Sequence, residues 1–117
     1  MKLKIGISPC PNDTFIFHAL LKNLIDMGTF EFETTFADVQ SLNEGAQAGD
    51  FDIVKISYGN LWNVQDRYGL LYSGGAMGYG CGPLLLSTKS SSLNPNIPVG
   101  VPGKNTTANA LLRFWAT

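Results

Sequence analysis

The sequence predicts an α/β domain with a mostly parallel β-sheet and flanking helices. Its first 56 residues alternate strand, helix, strand, helix and strand, the order that right-handed crossovers between parallel strands produce. The 117 residues are enough for one hydrophobic core. Apolar residues make up 44% of the chain and charged residues 15%, below the roughly 25% of an ordinary soluble domain. This composition predicts a globular chain rather than a disordered one.

The first strand is predicted over residues 2–7, a short apolar run. Pro9 and Pro11 prevent its continuation, and Asn12 or Asp13 offers a side chain that would cap a helix. The helix that follows has its apolar residues on one face: Ile16, Phe17, Leu20, Leu21 and Leu24.

The second strand is predicted after a turn at residues 27–29. Phenylalanines alternate with polar residues over residues 30–36, a pattern typical of a strand with one solvated face. Asp38 is placed to cap the next helix and Gly49 to end it. That helix is predicted to bury Val39, Leu42 and Ala46. The third strand is then expected over residues 51–56.

The next stretch of the chain has shorter predicted elements. A short helix is expected around residues 61–64, and apolar runs predict strands at residues 70–72 and 84–86. Five glycines between residues 74 and 82 permit a positive φ and close backbone approach, so this passage is a candidate for flanking a ligand.

The last part of the chain begins with a predicted linker, since residues 87–95 are polar and rich in turn-forming residues. Alternating apolar residues predict a strand over 97–101, after which Thr106 or Thr107 is expected to cap a helix reaching Thr117. The apolar face of this helix has no following strand to cover it. We therefore expect an N-terminal fragment of a longer protein, whose uncovered face drives association or disorder. That face consists of Leu111, Leu112, Phe114 and Trp115.

Charge, hydropathy and cysteine content argue against several classes of protein. The formal net charge of −1 is unfavourable for a broad nucleic-acid surface. No apolar run approaches the roughly 18 residues of a membrane span, and the apolar stretch behind residues 1–4 is too short for a signal peptide, which predicts a cytoplasmic protein. Cys10, Cys81 and the single histidine, His18, lack metal-ligand spacing. We expect two reduced thiols, no metal and no cofactor.

Three loops are candidates for a ligand site, because ligands bind at the carboxyl ends of parallel strands. Residues 8–15 follow the first strand and residues 55–58 the third. The turn at residues 102–108 presents free N–H groups, two hydroxyls and a lysine before a helix, which suits a carboxylate. For each loop the alternative is a plain capping turn. Ser57 lacks a nucleophile elbow, so a hydrogen-bonding role is favoured, and His18 is interpreted as structural.

The first of these loops has the sequence Ser-Pro-Cys-Pro-Asn-Asp-Thr-Phe-Ile-Phe at residues 8–17. It closely resembles the 1,4-dihydroxy-6-naphthoate synthase family of the futalosine route to menaquinone. The resemblance continues in order through Asp38-Val39 with Leu42-Asn43, and then through residues 55–58, 73–84 and 101–108. It covers essentially the whole chain, and the first motif is specific.

The resemblance implies a type II periplasmic-binding-protein-like fold, in which two α/β lobes close on a small ligand. Residues 1–88 would form the first lobe, residues 89–96 a linker or hinge, and residues 97–117 the start of the second lobe. In the family a Lys-x-Ser segment and a Thr-Ala pair bind substrate, which here correspond to Lys55, Ile56, Ser57, Thr107 and Ala108. We expect the pocket to include further residues from the same segments: Ser8, Cys10, Asn12, Asp13, Thr14, Asn43 and Thr106.

The activity that the resemblance implies is a lyase reaction converting cyclic dehypoxanthinyl futalosine to 1,4-dihydroxy-6-naphthoate. The proton acceptor proposed for the family is a histidine that would lie beyond Thr117, so the chain alone is expected to be inactive. Two alternatives remain. A solute-binding protein for a small carboxylate shares the fold. The related chorismate dehydratase does too, although it is not expected to carry the motif at residues 8–13.

Overall fold

The computed structural model describes residues 1–88 and 96–117. Three parallel strands form its sheet: β1 (Lys2–Ile7), β2 (Glu31–Phe36) and β3 (Ile53–Val54), in the order β2-β1-β3. Ile5 of β1 lies opposite Thr34 on one side and Ile53 on the other. The central strand also supplies two core residues, since Ile5 is 1% exposed and Ile7 is fully buried. The predicted α/β class with parallel strands is confirmed.

Helix α3 (Val39–Ala48) covers the sheet as predicted. The carboxylate of Asp38 accepts hydrogen bonds from the backbone N–H groups of Gln40 and Ser41, which satisfies two of the helix's free donors. Leu42 and Ala46 are fully buried. The helix ends at Gly49, whose φ of 84° is the left-handed conformation that favours glycine at this position.

The first helical segment differs from its prediction. It consists of two short helices, α1 (Pro11–Ile16) and α2 (His18–Leu21), which meet at Phe17. The residue that caps α1 is Cys10, so the prediction of Asn12 or Asp13 as the cap is wrong. Proline fits the first position of a helix because its missing N–H would be unpaired there anyway. The helix therefore begins at Pro11, two residues before the start that a cap at Asn12 would give.

Three predicted strands do not form in the described residues. Residues 70–72, 84–86 and 97–101 have no regular structure, because no neighbouring strand offers them backbone partners. Their side chains are exposed, Tyr72 and Leu84 among them. β3 is also shorter than residues 51–56, for it pairs with β1 over two residues only. The short helix expected around residues 61–64 is instead a 3₁₀ helix (Tyr58–Asn63).

The last helix, α4 (Thr107–Trp115), begins at the predicted cap. The Thr106 hydroxyl accepts a hydrogen bond from the backbone N–H of Asn109. Phe114 and Trp115 are exposed near its end. None of the helices in the described ranges is long and apolar enough to cross a membrane. Of the predicted linker at residues 89–96, all but the last residue lies outside the described residues.

Candidate functional site

A cavity of about 720 Å³ lies between the carboxyl end of β3 and the segments packed against it. Its wall is mostly apolar, with a few polar groups, as in typical small-molecule sites. The resemblance-derived residues Lys55, Ile56, Ser57 and Thr107 all line it. Other lining residues come from the first helices and the glycine-rich passage, and they include Phe17, Leu20, Ser73, Gly74, Gly75 and Ala76. Four parts of the sequence thus meet at one cavity: the first helices, the end of β3, the glycine-rich passage and the start of α4.

An ion pair joins the first loop to the cavity. The Lys55 Nζ lies 3.0 Å from the Asp13 Oδ1. The other carboxylate oxygen, Asp13 Oδ2, accepts hydrogen bonds from the Ser8 backbone N–H (3.1 Å) and hydroxyl (2.9 Å). Asp13 is 5% exposed, so its carboxylate is buried together with its partners. The loop after β1 and the end of β3 are therefore held together by charge-assisted hydrogen bonds.

A second buried side chain, Asn43 of α3, connects the end of β3 with the turn before α4. Its Oδ1 accepts from the Ser57 N–H (3.0 Å), and its Nδ2 donates to the Asn105 carbonyl (3.1 Å) and the Ser57 hydroxyl (3.4 Å). Asn43 is fully buried. It fixes the relative position of the Ser57 and Thr107 segments, since Asn105 lies two residues before α4.

The 3₁₀ helix positions Thr107 through a hydrogen bond. The Thr107 hydroxyl oxygen accepts a hydrogen bond from the Gly59 backbone N–H at 2.9 Å, so its own proton is available to an acceptor in the cavity. The two backbones are in close contact here, because a Cβ added at Gly59 would lie 2.9 Å from the Thr107 Cα. Ser57 is similar, since its hydroxyl also faces an N–H donor, the Asn43 amide. Both hydroxyls suit a ligand group that accepts hydrogen bonds.

The remaining predicted pocket residues are absent from the described wall of the cavity. Cys10 and Asn12 are exposed, Ala108 is half-buried, and Thr106 is buried as the cap of α4. The Thr14 hydroxyl donates to backbone carbonyls of its own helix, at Cys10 and Pro11. His18 is exposed and is absent from the described lining. Cys10 and Cys81 are free thiols.

One group of residues behind the site was missed by the sequence analysis. Asn60 is fully buried, donates to the Asn43 carbonyl (3.1 Å) and accepts from Gln47 (2.7 Å) and Asn63 (2.9 Å). The signal was the spacing of the amide side chains, since positions 43 and 47 share one helix face, as do positions 60 and 63. The amides connect α3 to the 3₁₀ helix that supports Thr107.

The described wall of the cavity contains few ionisable groups. Its ionisable lining residues are Asp52, Lys55, Tyr58, Arg67 and Tyr68. The Tyr68 hydroxyl donates to the Phe51 carbonyl and the Asp52 carboxylate accepts from the Lys4 N–H, so both have protein partners. Among residues 1–88 and 96–117, no three His, Cys, Asp or Glu side chains are grouped as a metal site requires.

Comparisons with known proteins agree on one family. The profile of the menaquinone biosynthesis family matches residues 3–117. A 1,4-dihydroxy-6-naphthoate synthase from Streptomyces coelicolor is 43% identical over 114 residues, which cover 97% of this chain and 40% of that protein. The synthase of the same name from Thermus thermophilus is 42% identical over 114 residues, covering 97% of this chain and 42% of that protein. The chain thus spans about two fifths of the length of these relatives.

A solved structure also matches. The crystal structure of protein AF1704 from Archaeoglobus fulgidus superposes with a TM-score of 0.86 at 30% sequence identity. The superposition covers 97% of this chain and 42% of that one. The arrangement of strands and helices described above is therefore found in an experimentally determined protein.

Proposed function

Because this chain belongs to the menaquinone biosynthesis family, we propose that it forms the N-terminal, substrate-binding part of a 1,4-dihydroxy-6-naphthoate synthase. The reaction is the lyase conversion of cyclic dehypoxanthinyl futalosine to 1,4-dihydroxy-6-naphthoate, in the cytoplasm. The substrate-binding residues are Lys55, Ile56, Ser57, Thr107 and Ala108. The product carries a carboxylate, the kind of acceptor that the Ser57 and Thr107 hydroxyls suit.

One observation carries this proposal: Lys55, Ser57 and Thr107 line the same cavity although 52 positions separate the first from the last, 107 − 55. The family resemblance selects the same residues by motif alone. Agreement between motif and geometry supports a binding role over a set of plain capping turns.

The architecture we propose is the two-lobed type II periplasmic-binding-protein-like fold, with residues 1–88 in the first lobe, 89–96 as hinge and 97–117 in the second. The parallel β2-β1-β3 sheet and the superposition on AF1704 support the first lobe. The hydrogen bond from Gly59 to Thr107 would then cross from one lobe to the other. Such a contact suits a ligand held between lobes.

We propose further that the 117-residue chain binds substrate without turning it over. The family resemblance implies a histidine as proton acceptor, and a general base must come within about 2.6–3.2 Å of the proton that it removes. The sole histidine of this sequence, His18, is exposed and outside the described wall of the cavity.

Two measurements test the proposal. The purified chain is incubated with cyclic dehypoxanthinyl futalosine; calorimetry is expected to detect binding, and chromatography no 1,4-dihydroxy-6-naphthoate. A chimera in which this chain replaces the matching segment of the Thermus thermophilus synthase is expected to form that product.

In the chimera, Thr107→Val is expected to lower kcat/KM by the equivalent of about 1–3 kcal/mol, because a hydrogen bond to a charged group is lost. The matched control is Thr35→Val, an exposed position on β2 outside the described cavity wall. Equal activities for the two variants would contradict the binding role of Thr107. Product formed by the chain alone would contradict the proposed inactivity and direct attention to His18.

A further inference from the structure

The ion pair beside the cavity suggests a role for a residue that the family motif leaves unexplained. We propose that Asp13 is a positioning residue that holds the Lys55 ammonium at the cavity and cancels its charge. Asp13 thereby sets how strongly the cavity prefers a carboxylate over an uncharged ligand of the same shape. This inference rests on the proposed function for the chemical class of its probe, an aromatic carboxylate.

The contacts of Asp13 leave its carboxylate little freedom. One oxygen lies 3.0 Å from the Lys55 Nζ, and the other accepts from both the N–H and the hydroxyl of Ser8. The side chain of Asp13 is 7% exposed and that of Lys55 25%. A buried carboxylate with three fixed donors keeps one geometry, so the ammonium that it binds is held as well.

Lys55 is also distinct among the charged residues of the described cavity wall. The Asp52 carboxylate accepts from the Lys4 N–H, and Arg67 packs against Gly49 at the end of α3, so both are engaged near the amino ends of the strands. Lys55 follows β3 and lies with Ser57 and Thr107 at the carboxyl end. The charge that a ligand meets there depends on whether Asp13 compensates Lys55.

Electrostatics gives the direction of the effect. A charge pair about 3 Å apart acts on a nearby ligand as a dipole, and its field falls off faster than that of a single charge. With Asp13 present, a ligand carboxylate gains little from Lys55 beyond hydrogen bonding. Without that negative charge, the ammonium attracts anions in a partly desolvated site, where charge interactions are stronger than in bulk water.

The test compares two probes of the same shape, 2-naphthoate and 2-naphthamide, by calorimetry on the 117-residue chain. In Asp13→Asn the ratio of acid affinity to amide affinity is expected to rise about tenfold, because asparagine keeps the shape and removes the charge. Asp50→Asn, an exposed site outside the described cavity wall, is the matched control and should leave the ratio unchanged. A ratio in Asp13→Asn within about twofold of wild type would overturn the proposal.

A second measurement needs no ligand. Limited acetylation followed by mass spectrometry compares Lys55 with the exposed Lys104. Lys55 is expected to react slowly in wild type and at least about fivefold faster in Asp13→Asn, since the contact with the buried Asp13 carboxylate holds the Lys55 nitrogen away from the reagent. Ser8→Ala keeps the charge of Asp13 but removes a hydrogen bond that fixes its carboxylate, so it should accelerate Lys55 labelling less than Asp13→Asn does. Hydrogen exchange of the sheet amides verifies that each variant is folded.

The outcomes separate this inference from the proposed function. If wild type binds neither naphthalene probe, the ligand class of the proposed function is wrong, and the labelling rates alone decide whether Asp13 holds Lys55. If both probes bind and the ratio in Asp13→Asn stays within about twofold of wild type, the positioning role is wrong and the proposed function stands.

Discussion

Two regions of the molecule contain similar apolar runs and fold differently. In the sheet region, residues 2–56, the strand residues Ile5 and Ile7 are buried. In the glycine-rich region, residues 69–88, the leucines of the run at 84–86 are exposed; Leu84 is 81% exposed. An apolar run therefore becomes a strand only where a neighbouring strand offers hydrogen bonds and a helix covers its face.

The difference extends to the site. Buried partners, Asp13 and Asn43, fix Lys55 and Ser57, and the half-buried Gly59 contacts Thr107. The glycine-rich region lines the cavity but has no buried residue of its own. The side of the cavity with these partners carries Lys55, Ser57 and Thr107. Glycine-rich backbone lines the other side, where Gly74 adopts a φ of 78°.

The largest expected effect distinguishes a buried leucine from an exposed one. Leu42→Ala removes side-chain atoms from the fully buried face of α3, and we expect it to lower the free energy of unfolding by about 2–5 kcal/mol. Leu84→Ala makes the same chemical change at an exposed position and should cost less than about 0.5 kcal/mol. Urea unfolding followed by far-ultraviolet ellipticity measures both. Similar losses would show that the glycine-rich region is packed in solution.

A smaller effect is expected from paired glycine substitutions. Gly59→Ala places a methyl group 2.9 Å from the Thr107 Cα, so α4 or the 3₁₀ helix must shift, and we expect a loss of about 1–3 kcal/mol. Gly82→Ala meets open space among the described residues, none of which has an atom within 4 Å, and should change stability by less than about 0.5 kcal/mol. Urea unfolding tests this as well. If Gly59→Ala lowers the free energy of unfolding no more than Gly82→Ala does, the contact between α4 and the 3₁₀ helix is looser than the structure shows.

The third prediction concerns the cap that starts α4. Thr106→Ala removes the hydroxyl that accepts from the Asn109 N–H and should cost about 0.5–2 kcal/mol. Thr106→Ser retains the hydroxyl and is expected to retain most of the stability. Ellipticity at low urea concentration measures the helix directly. Equal losses in both variants would attribute the effect to the methyl group of this buried residue rather than to its cap.

Much of the fold is readable from local sequence, since strand 2–7, the phenylalanine alternation at 30–36 and the Asp38 and Gly49 helix limits each act within a few residues. The three strand predictions that were wrong could not be avoided by reading local sequence. Whether an apolar run pairs depends on a partner far away in the chain, which residue type does not specify.

In the candidate site, too, some features follow from local sequence and others depend on distant partners. Strand order and motif together selected Lys55 and Ser57, because the carboxyl ends of parallel strands share one edge of the sheet. Thr107 reaches the same cavity although the strand predicted before it, at residues 97–101, does not form. The Asp13 contact with Lys55 was not predictable, since it joins side chains across the fold. For the Asn60 network, the spacing of the amides indicates shared helix faces but does not specify that the two faces meet. Sequence patterns identify the groups that face a ligand more readily than the groups that hold them.

The smallest expected effect is a loss of stability at low pH, where the carboxylate of Asp38, the N-cap of α3, becomes protonated. Hydrogen bonds from the Ser41 hydroxyl, the Ser41 N–H and the Gln40 N–H lower the pKa of Asp38 below its ordinary 3.8. The stability that Asp38 contributes is therefore fully present above that value and is lost as the pH falls through the lower pKa of the folded state. Asp38→Asn keeps a good capping side chain that does not titrate.

The measured quantity is the difference in Tm between wild type and Asp38→Asn, at about pH 6 and about pH 2.5. We expect wild type to lose its advantage over the variant at the lower pH. The pKa of Glu33 is likewise lowered, by its hydrogen bond and ion pair with Lys2, but Glu33 titrates in both proteins, so its contribution cancels. A difference that stays constant would mean that the Asp38 carboxylate is no better a cap charged than neutral.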